Sequence, residues 1–320
     1  MAQQKLVKAI REVSAPSDIK LYKVIDERFP VNTYISSSNI FQEILYQPHL
    51  AGVKFQQKLS KASEELVRII AHVALKSIPK KDICELVFLA GGLYYGLNEG
   101  FKKMFVHSLP QCFIGIQRDR IEGAEGEFRA RASYENFESL PENASVIIGD
   151  TVATGTTLLK GLQLLANAAE QKKRTIKKVV VCSIAASAKG AEMMKHAENS
   201  LASRFPGVKC YFIACEQLFH LMPDGTDLMF NMPGSIIPES TGNKTLDIYG
   251  HWLSKNMKCA IFDWGTRCKN PMQHYREFLQ YAEKERQSPS ADEKGRLILS
   301  KMIQDIYSEI KGLEEPLKYP

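Results

Sequence analysis

The chain has 320 residues, 44% of them apolar and 24% charged, enough to bury a sizeable core as one large domain or a domain with appendages. A formal charge of +6 is too small and too evenly scattered to argue nucleic-acid binding by itself. The charged start of the chain has no signal-like apolar region and the longest apolar stretch, near Val179 to Ala188, is too short for a bilayer, so no membrane role is expected.

In chain order, Leu66, Ile69, Ile70 and Val73 mark one face of a helix expected to pack on a sheet. Strand-like apolar runs then recur near Leu86, Phe113, Val146, Val180 and Tyr211, with helical patterns between most of them. That rhythm predicts an α/β fold, a mainly parallel sheet flanked by helices. Asp119 to Arg131 carries glycines and many charges with no apolar face, and reads as an exposed hairpin or mobile flap. The lysine clusters Lys172-Lys173-Arg174 and Lys177-Lys178 read as solvated loop surface rather than an RNA contact. Further on, Asp263-Trp-Gly-Thr-Arg267 is either a packed turn or a segment folded near a ligand, and Gln287 to Ser290 is a loop. Leu299, Met302, Ile303, Ile306 and Ile310 form an apolar stripe at helical spacing, a docking face for the chain's own domain or, alternatively, a homodimer contact. The expected division is an N-terminal extension with its packing helix over 1–80, an α/β core over 81–250 and a C-terminal helical extension over 251–320.

Seven cysteines make an odd count without a C-x-x-C pair, which points to a reducing cytoplasm. Cys84, Cys112 and Cys182 sit in or beside apolar runs, where a small buried thiol is expected. The histidines offer no H-E-x-x-H or close pair, so no His/Cys metal site is expected.

Ser145 to Thr157, SVIIGDTVATGTT, is the most informative stretch. Val146, Ile147 and Ile148 form a β-branched block suited to a central strand covered on both faces. Asp150 then emerges at the carboxyl end of that strand, where open α/β sheets place their ligands. Gly155 lets the backbone approach an oxyanion, and Thr154, Thr156 and Thr157 add hydroxyls to the free N–H groups of the helix that begins there. Such a cradle suits a phosphate monoester; a Thr-capped turn with no ligand is the competing reading.

Asp150-Thr-Val-Ala-Thr-Gly-Thr-Thr157 resembles the phosphoribosyl-pyrophosphate (PRPP) loop of type I phosphoribosyltransferases, and its surroundings look most like the uracil phosphoribosyltransferase branch. Leu86 to Gly96, LVFLAGGLYYG, resembles that family's pyrophosphate-holding strand and loop. Phe113 to Asp119 with Tyr134 to Pro141, Ile184 to Gly190, and Met232 to Lys244 resemble further family segments in the same order. The resemblance implies a sheet with a flap or hood and extra helices at both ends. It implies that Asp150, Thr151, Ala153, Thr154, Gly155, Thr156 and Thr157 hold the 5′-phosphate and ribose of PRPP. On the same basis Ala90, Gly91, Gly92 and Arg118 would meet the pyrophosphate, with Asp150 and Arg118 the catalytic pair. Ala186, Met232, Pro233, Gly234, Ser235 and Glu239 would line the base. Magnesium is expected to bind through PRPP oxygens, with Glu239 the one protein group that could join it, since hard divalent cations prefer phosphate and carboxylate oxygen.

The implied activity is transfer of a 5-phosphoribosyl group from PRPP to a nucleobase, uracil-like or related, with release of pyrophosphate; both partners are small molecules. Ala90 stands where the uracil branch has Arg, and Gly149 takes the first of two acidic positions at the head of the loop. These departures motivate the alternative of a non-catalytic PRPP or nucleotide sensor.

Overall fold

The five apolar runs become the parallel centre of one large sheet. The computed structural model describes residues 10–16, 18–89, 91–125, 127–260 and 264–316. The chain forms β1 (Ile10–Val13), β2 (Lys20–Val24), β3 (Asn32–Ser37), α1 (Asn39–Leu45), α2 (Gly52–Val73) and β4 (Ile83–Leu89). After a 3-10 turn at Gly91–Tyr95 it continues through α3 (Leu97–Phe105), β5 (Gln111–Arg120), β6 (Phe128–Asn136), β7 (Asn143–Gly149) and α4 (Thr156–Gln171). Next come β8 (Thr175–Ser183), β9 (Ala186–Ser187), α5 (Ala188–Arg204), β10 (Lys209–Cys215), β11 (Leu218–Leu221) and β12 (Leu228–Met229). The last third holds α6 (Glu239–Asn256), β13 (Lys258–Ala260), α7 (Trp264–Lys269), α8 (Pro271–Arg286) and α9 (Glu293–Glu314).

Across the large sheet the order is β1-β2-β3-β10-β8-β7-β4-β5-β6. Every pair from β3 to β5 is parallel, and the antiparallel pairs lie at the two rims. The unbroken apolar blocks are explained by burial on both faces. In β7, Ile147 enters one core with Val180, Ile213 and the Leu66, Ile69 and Ile70 face of α2, while Val146 and Ile148 enter the other with Leu158, Leu162 and Leu165 of α4. The alternation of side chains along a strand thus feeds two cores from one run. The stripe of α9 packs on the first of these cores through Leu299, Met302, Ile303 and Ile306, with Ile310 partly buried beside them, so it docks on its own chain.

One part of the architecture departs from the sequence reading. Ahead of the expected packing helix, β1 to β3 extend the sheet, with β3 parallel to β10. Neither KLYKV nor NTYISS has the apolar run of a central strand. The buried hydroxyls of β3 are satisfied by main-chain carbonyls instead: Thr33 donates to Pro30 O at 2.8 Å and Ser36 to Ala214 O at 3.2 Å. A smaller sheet, β13-β12-β11-β9, follows on from the carboxyl end of β8.

All seven cysteines are buried. Asp263 lies outside the described residues. Arg267, in the same sequence motif, is packed in α7, its guanidinium 3.8 Å from the Phe55 ring centroid and donating to Leu50 O and Gln47 O. Among the described residues no helix is long and apolar enough to cross a membrane.

Helix α4 lies so close to the sheet that a Cβ at Gly161 would come within 2.3 Å of Phe88 and 2.7 Å of Ile114. Alanine is the better helix former by about 1 kcal/mol, but overpacking of this kind costs about 1–3 kcal/mol. Gly161→Ala is therefore expected to destabilise the protein, read as a lower urea midpoint with an unchanged slope.

Candidate functional site

Residues 150–155 form the crossing from β7 to α4. It is held from beneath by main-chain bonds: Asp150 N–H donates to Cys182 O, Val152 N–H to Ala185 O, and Ser187 N–H back to Val152 O. The Ser187 hydroxyl adds a bond to Ala153 O. Helix α5 presses against the underside, since a Cβ at Gly190 would lie 2.6 Å from Val152 Cγ1 and one at Gly155 would lie 2.6 Å from Met193 Cβ. Gly155 also has φ +79°, a left-handed conformation that glycine adopts without strain.

The upper side of the turn is rich in donors. The N–H groups of Ala153, Thr154, Gly155, Thr157 and Leu158 donate to no other described residue. Thr156 N–H donates to Thr154 Oγ1 at 3.3 Å, and the hydroxyls of Thr154 and Thr156 are 2.9 Å apart. Thr154 is 5% exposed, so its side chain shapes the turn more than it reaches outward. Arg118 of β5 joins Asp150, Thr151, Val152, Ala153, Thr154, Gly155, Thr157 and Leu158 around one small hollow. Open N–H groups at a helix start favour an anion, and a guanidinium adds charge-assisted donors. Asp150, whose Oδ1 also accepts from Thr151 N–H at 2.9 Å, places a carboxylate beside them that can accept from hydroxyl groups.

The hairpin expected at 119–131 is present as the exposed end of β5 and β6. Arg118 and Arg120 stand over the same Phe128 ring, 5.2 and 5.1 Å from its centroid. Arg120 also donates to Asp224 O at 3.3 Å, tying the hairpin to the turn between β11 and β12.

Of the other expected site residues, none of the described ones lines the hollow. Ala90 falls outside the described residues. Gly91 and Gly92 open the 3-10 turn after β4, and a Cβ at Gly92 would lie 3.1 Å from Gly149 O. Ala186 is fully buried and pairs with both Val152 and Leu218. Leu218 in turn pairs with Ile236, so Met232, Pro233, Gly234 and Ser235 sit in a turn at the far side of that short ladder. Glu239 is exposed at the head of α6, where its neighbour Ser240 hydrogen-bonds Tyr22 at 3.0 Å. Hence the phosphate-type residues and Arg118 come together, and the base-type residues do not line the same hollow.

Two residues that the sequence reading passed over sit at this edge of the sheet. Tyr95 is 1% exposed, and its ring lies where a side chain at Gly149 would project: a Cβ there would be 2.8 Å from Tyr95 Cβ, Cγ and Cδ1. The glycine ending a β-branched block was the available signal, because it marks a place where something approaches the backbone closely. Glu216, just after β10, is fully buried with φ +64°. Its carboxylate accepts from Ser38 N–H and Ser37 Oγ at 3.0 Å, from Gln42 Nε2 at 3.3 Å and from Thr241 Oγ1 at 3.5 Å, joining β3, α1 and α6. No pattern in the sequence marks it, since a lone glutamate reads as surface.

No protein-family model matches the chain, and no curated protein matches it. Among solved structures it is similar to L. donovani hypoxanthine-guanine phosphoribosyl transferase, at 16% identity and a TM-score of 0.32, over 51% of this chain and 81% of that one. It is also similar to a variant Trypanosoma cruzi hypoxanthine phosphoribosyltransferase complexed with its product IMP, at 15% identity and a TM-score of 0.32, over 59% of this chain and 92% of that one. At these values the functional reading rests on the geometry of the site.

Burial pushes the Glu216 carboxyl up to about 7 against the pull of its hydrogen-bond donors, from an ordinary value of 4.5. A group raised on folding stabilises the fold fully below its unfolded value, and that contribution is lost as pH rises through the folded one. At 1.36 kcal/mol per unit this amounts to something on the order of 3 kcal/mol. Buried His49 and His274, held down at about 4 and about 3, add stability over the same range, so the measurement is a comparison: from pH 5 to pH 8 the unfolding free energy of wild type should change less favourably than that of Glu216→Gln, by about that amount. Glu85, also raised to about 7 by burial, keeps part of the slope in the variant.

Proposed function

We propose that this chain transfers a 5-phosphoribosyl group from PRPP to a ring nitrogen of a nucleobase or related heterocycle, releasing pyrophosphate. The observation that carries the reading is the convergence of acceptor-less N–H groups, the Asp150 carboxylate and the Arg118 guanidinium on one hollow at the carboxyl edge of a parallel sheet. A phosphate monoester matches the N–H groups of Ala153, Thr154, Gly155, Thr157 and Leu158, a sugar hydroxyl matches Asp150, and a second phosphate group within reach matches Arg118.

In this reaction positive charge develops on the reacting sugar carbon as pyrophosphate departs, so the protein's task is to hold both reactants and stabilise the leaving anion. No nucleophilic side chain is required. The turn from Ala153 to Thr157 binds the 5′-phosphate, Asp150 and Thr151 orient the ribose, and Arg118 with Gly91 and Gly92 receives the pyrophosphate. The hairpin carrying Arg118 excludes water while latched to the turn at Asp224. The base is assigned, by the resemblance, to Met232 to Ser235 and Glu239, across the ladder that holds Ala186.

Magnesium fits the hollow in part. Asp150 is the carboxylate among its lining residues, and among the described residues no group of three or more His, Cys, Asp or Glu could hold a metal ion. A cation that takes most of its oxygens from phosphate and water suits such a site, with Asp150 as the protein's donor. When bound it would neutralise part of the pyrophosphate charge.

The sensor reading draws on one observation, that Tyr95 fills the room at Gly149 where an acidic side chain would stand. The two readings separate in a pyrophosphate-release assay over a panel of bases, run beside calorimetry with PRPP and with nucleoside monophosphates. Release with any base supports the transferase; tight monophosphate binding without release supports the sensor. For the site itself, Asp150→Asn and Thr154→Ala are each expected to weaken PRPP binding or turnover by at least about tenfold, the scale of one hydrogen bond in a charged site. Unchanged kinetics in both variants would remove the assignment.

A further inference from the structure

Behind the phosphate turn lies a buried polar connection. Tyr95 closes the 3-10 turn after β4, and its hydroxyl meets two other segments at once. Ile184 N–H, in the turn after β8, donates to the phenol oxygen at 3.2 Å, and Thr151 Oγ1, in the crossing after β7, lies 3.4 Å from it. Ile184 is 1% exposed and Tyr95 also 1%, so the phenol and the amide bonded to it are enclosed, while Thr151 lines the hollow.

The chemistry of these groups gives the chain a direction. A main-chain N–H can only donate, so the phenol oxygen is an acceptor towards Ile184. With its own proton turned to Thr151 Oγ1, the phenol makes the threonine oxygen an acceptor, and the threonine proton is left to point into the hollow. We infer that Ile184 N–H, Tyr95 and Thr151 form a donor relay, with Tyr95 a positioning residue that fixes the Thr151 hydroxyl as a hydrogen-bond donor to an oxygen of the bound phosphorylated sugar. Successive hydrogen bonds of one sense polarise one another, which strengthens the terminal donor.

The inference deepens the PRPP reading and rests on it for the identity of the ligand. It also accounts for Gly149. Any side chain there would occupy the volume of the Tyr95 ring, with the first added atom already 2.8 Å from three of its carbons, so the glycine and the tyrosine are parts of one device. The device selects for a ligand that presents an acceptor oxygen beside Asp150.

The test uses the full chain with ribose 5-phosphate as the calorimetric probe, and the variants Tyr95→Phe, Thr151→Val and the double. Phenylalanine keeps the ring against Gly149, so the fold is retained. Loss of the phenol is expected to weaken ribose 5-phosphate by roughly three- to tenfold, the equivalent of one net hydrogen bond. Thr151→Val should weaken it at least as much, the double variant should be no worse than Thr151→Val alone, and Thr151→Ser should restore binding. Additive losses, or wild-type affinity in Tyr95→Phe, would overturn the relay. Amide exchange in the ligand-free protein gives a readout independent of the ligand: Tyr95→Phe should speed exchange at Ile184 without changing the slowest amides of β7 and β8. If wild type binds no ribose 5-phosphate, the PRPP reading fails, and the relay is then decided by Ile184, where faster exchange upholds the buried bond and unchanged exchange refutes it.

Discussion

The site depends on one constraint: a parallel strand that ends in the interior must hand its chain to a helix across a turn whose main-chain groups cannot all find partners. At residues 150–155 the inward-facing groups are satisfied by Cys182, Ala185 and Ser187, and the N–H groups of Ala153, Thr154 and Gly155 have no acceptor within the described protein. A ligand with several negative oxygens would supply what the fold withholds. The surrounding packing can be understood as support for that imbalance. Helix α5 is close enough beneath the turn that Gly190 and Gly155 leave no room for a Cβ.

Charge around the hollow is arranged in two layers. The donors of the turn are part of the backbone and are held in place by the sheet, so they cost no side-chain ordering when an anion binds. Arg118 is carried on the exposed half of a hairpin and is positioned by stacking on Phe128, a ring it shares with Arg120. In the proposed reading, recognition would combine a rigid floor with a wall carried on the hairpin. The deeper polar groups behave differently. Glu216 ties three elements together through four hydrogen-bond donors, and burial rather than any positive partner sets its proton affinity.

The sequence made the central strands, both apolar helix faces and the phosphate-type turn legible, because each depends on local order: a β-branched block, a helical spacing, a glycine between threonines. Val146 to Ile148 needed burial on two sides, and the sheet provides it with Ile147 on one core and its neighbours on the other. The N-terminal strands were illegible for the converse reason. Thr33 and Ser36 are buried through hydrogen bonds to carbonyls, one of them 178 residues away, so their burial leaves no apolar trace in the chain. Tyr95 and Glu216 escaped notice likewise, since the partners that define them come from β7, β8, β3 and α6. The base-type segment was placed by resemblance alone, and the short ladder Val152–Ala186–Leu218–Ile236 is what separates it from the hollow.

The latch between Arg120 and Asp224 O has a bearing on traffic through the site. It joins an exposed guanidinium to a main-chain oxygen, a single hydrogen bond from a charged group, worth about 1.5–3 kcal/mol at most. The tip of the hairpin is therefore held to that turn by little, while Ile116 and Ala132 nearer its base pack against the second core. In the proposed transferase, opening that single bond would let molecules exchange on the timescale of loop motion while the crossing beneath stays assembled between one visitor and the next.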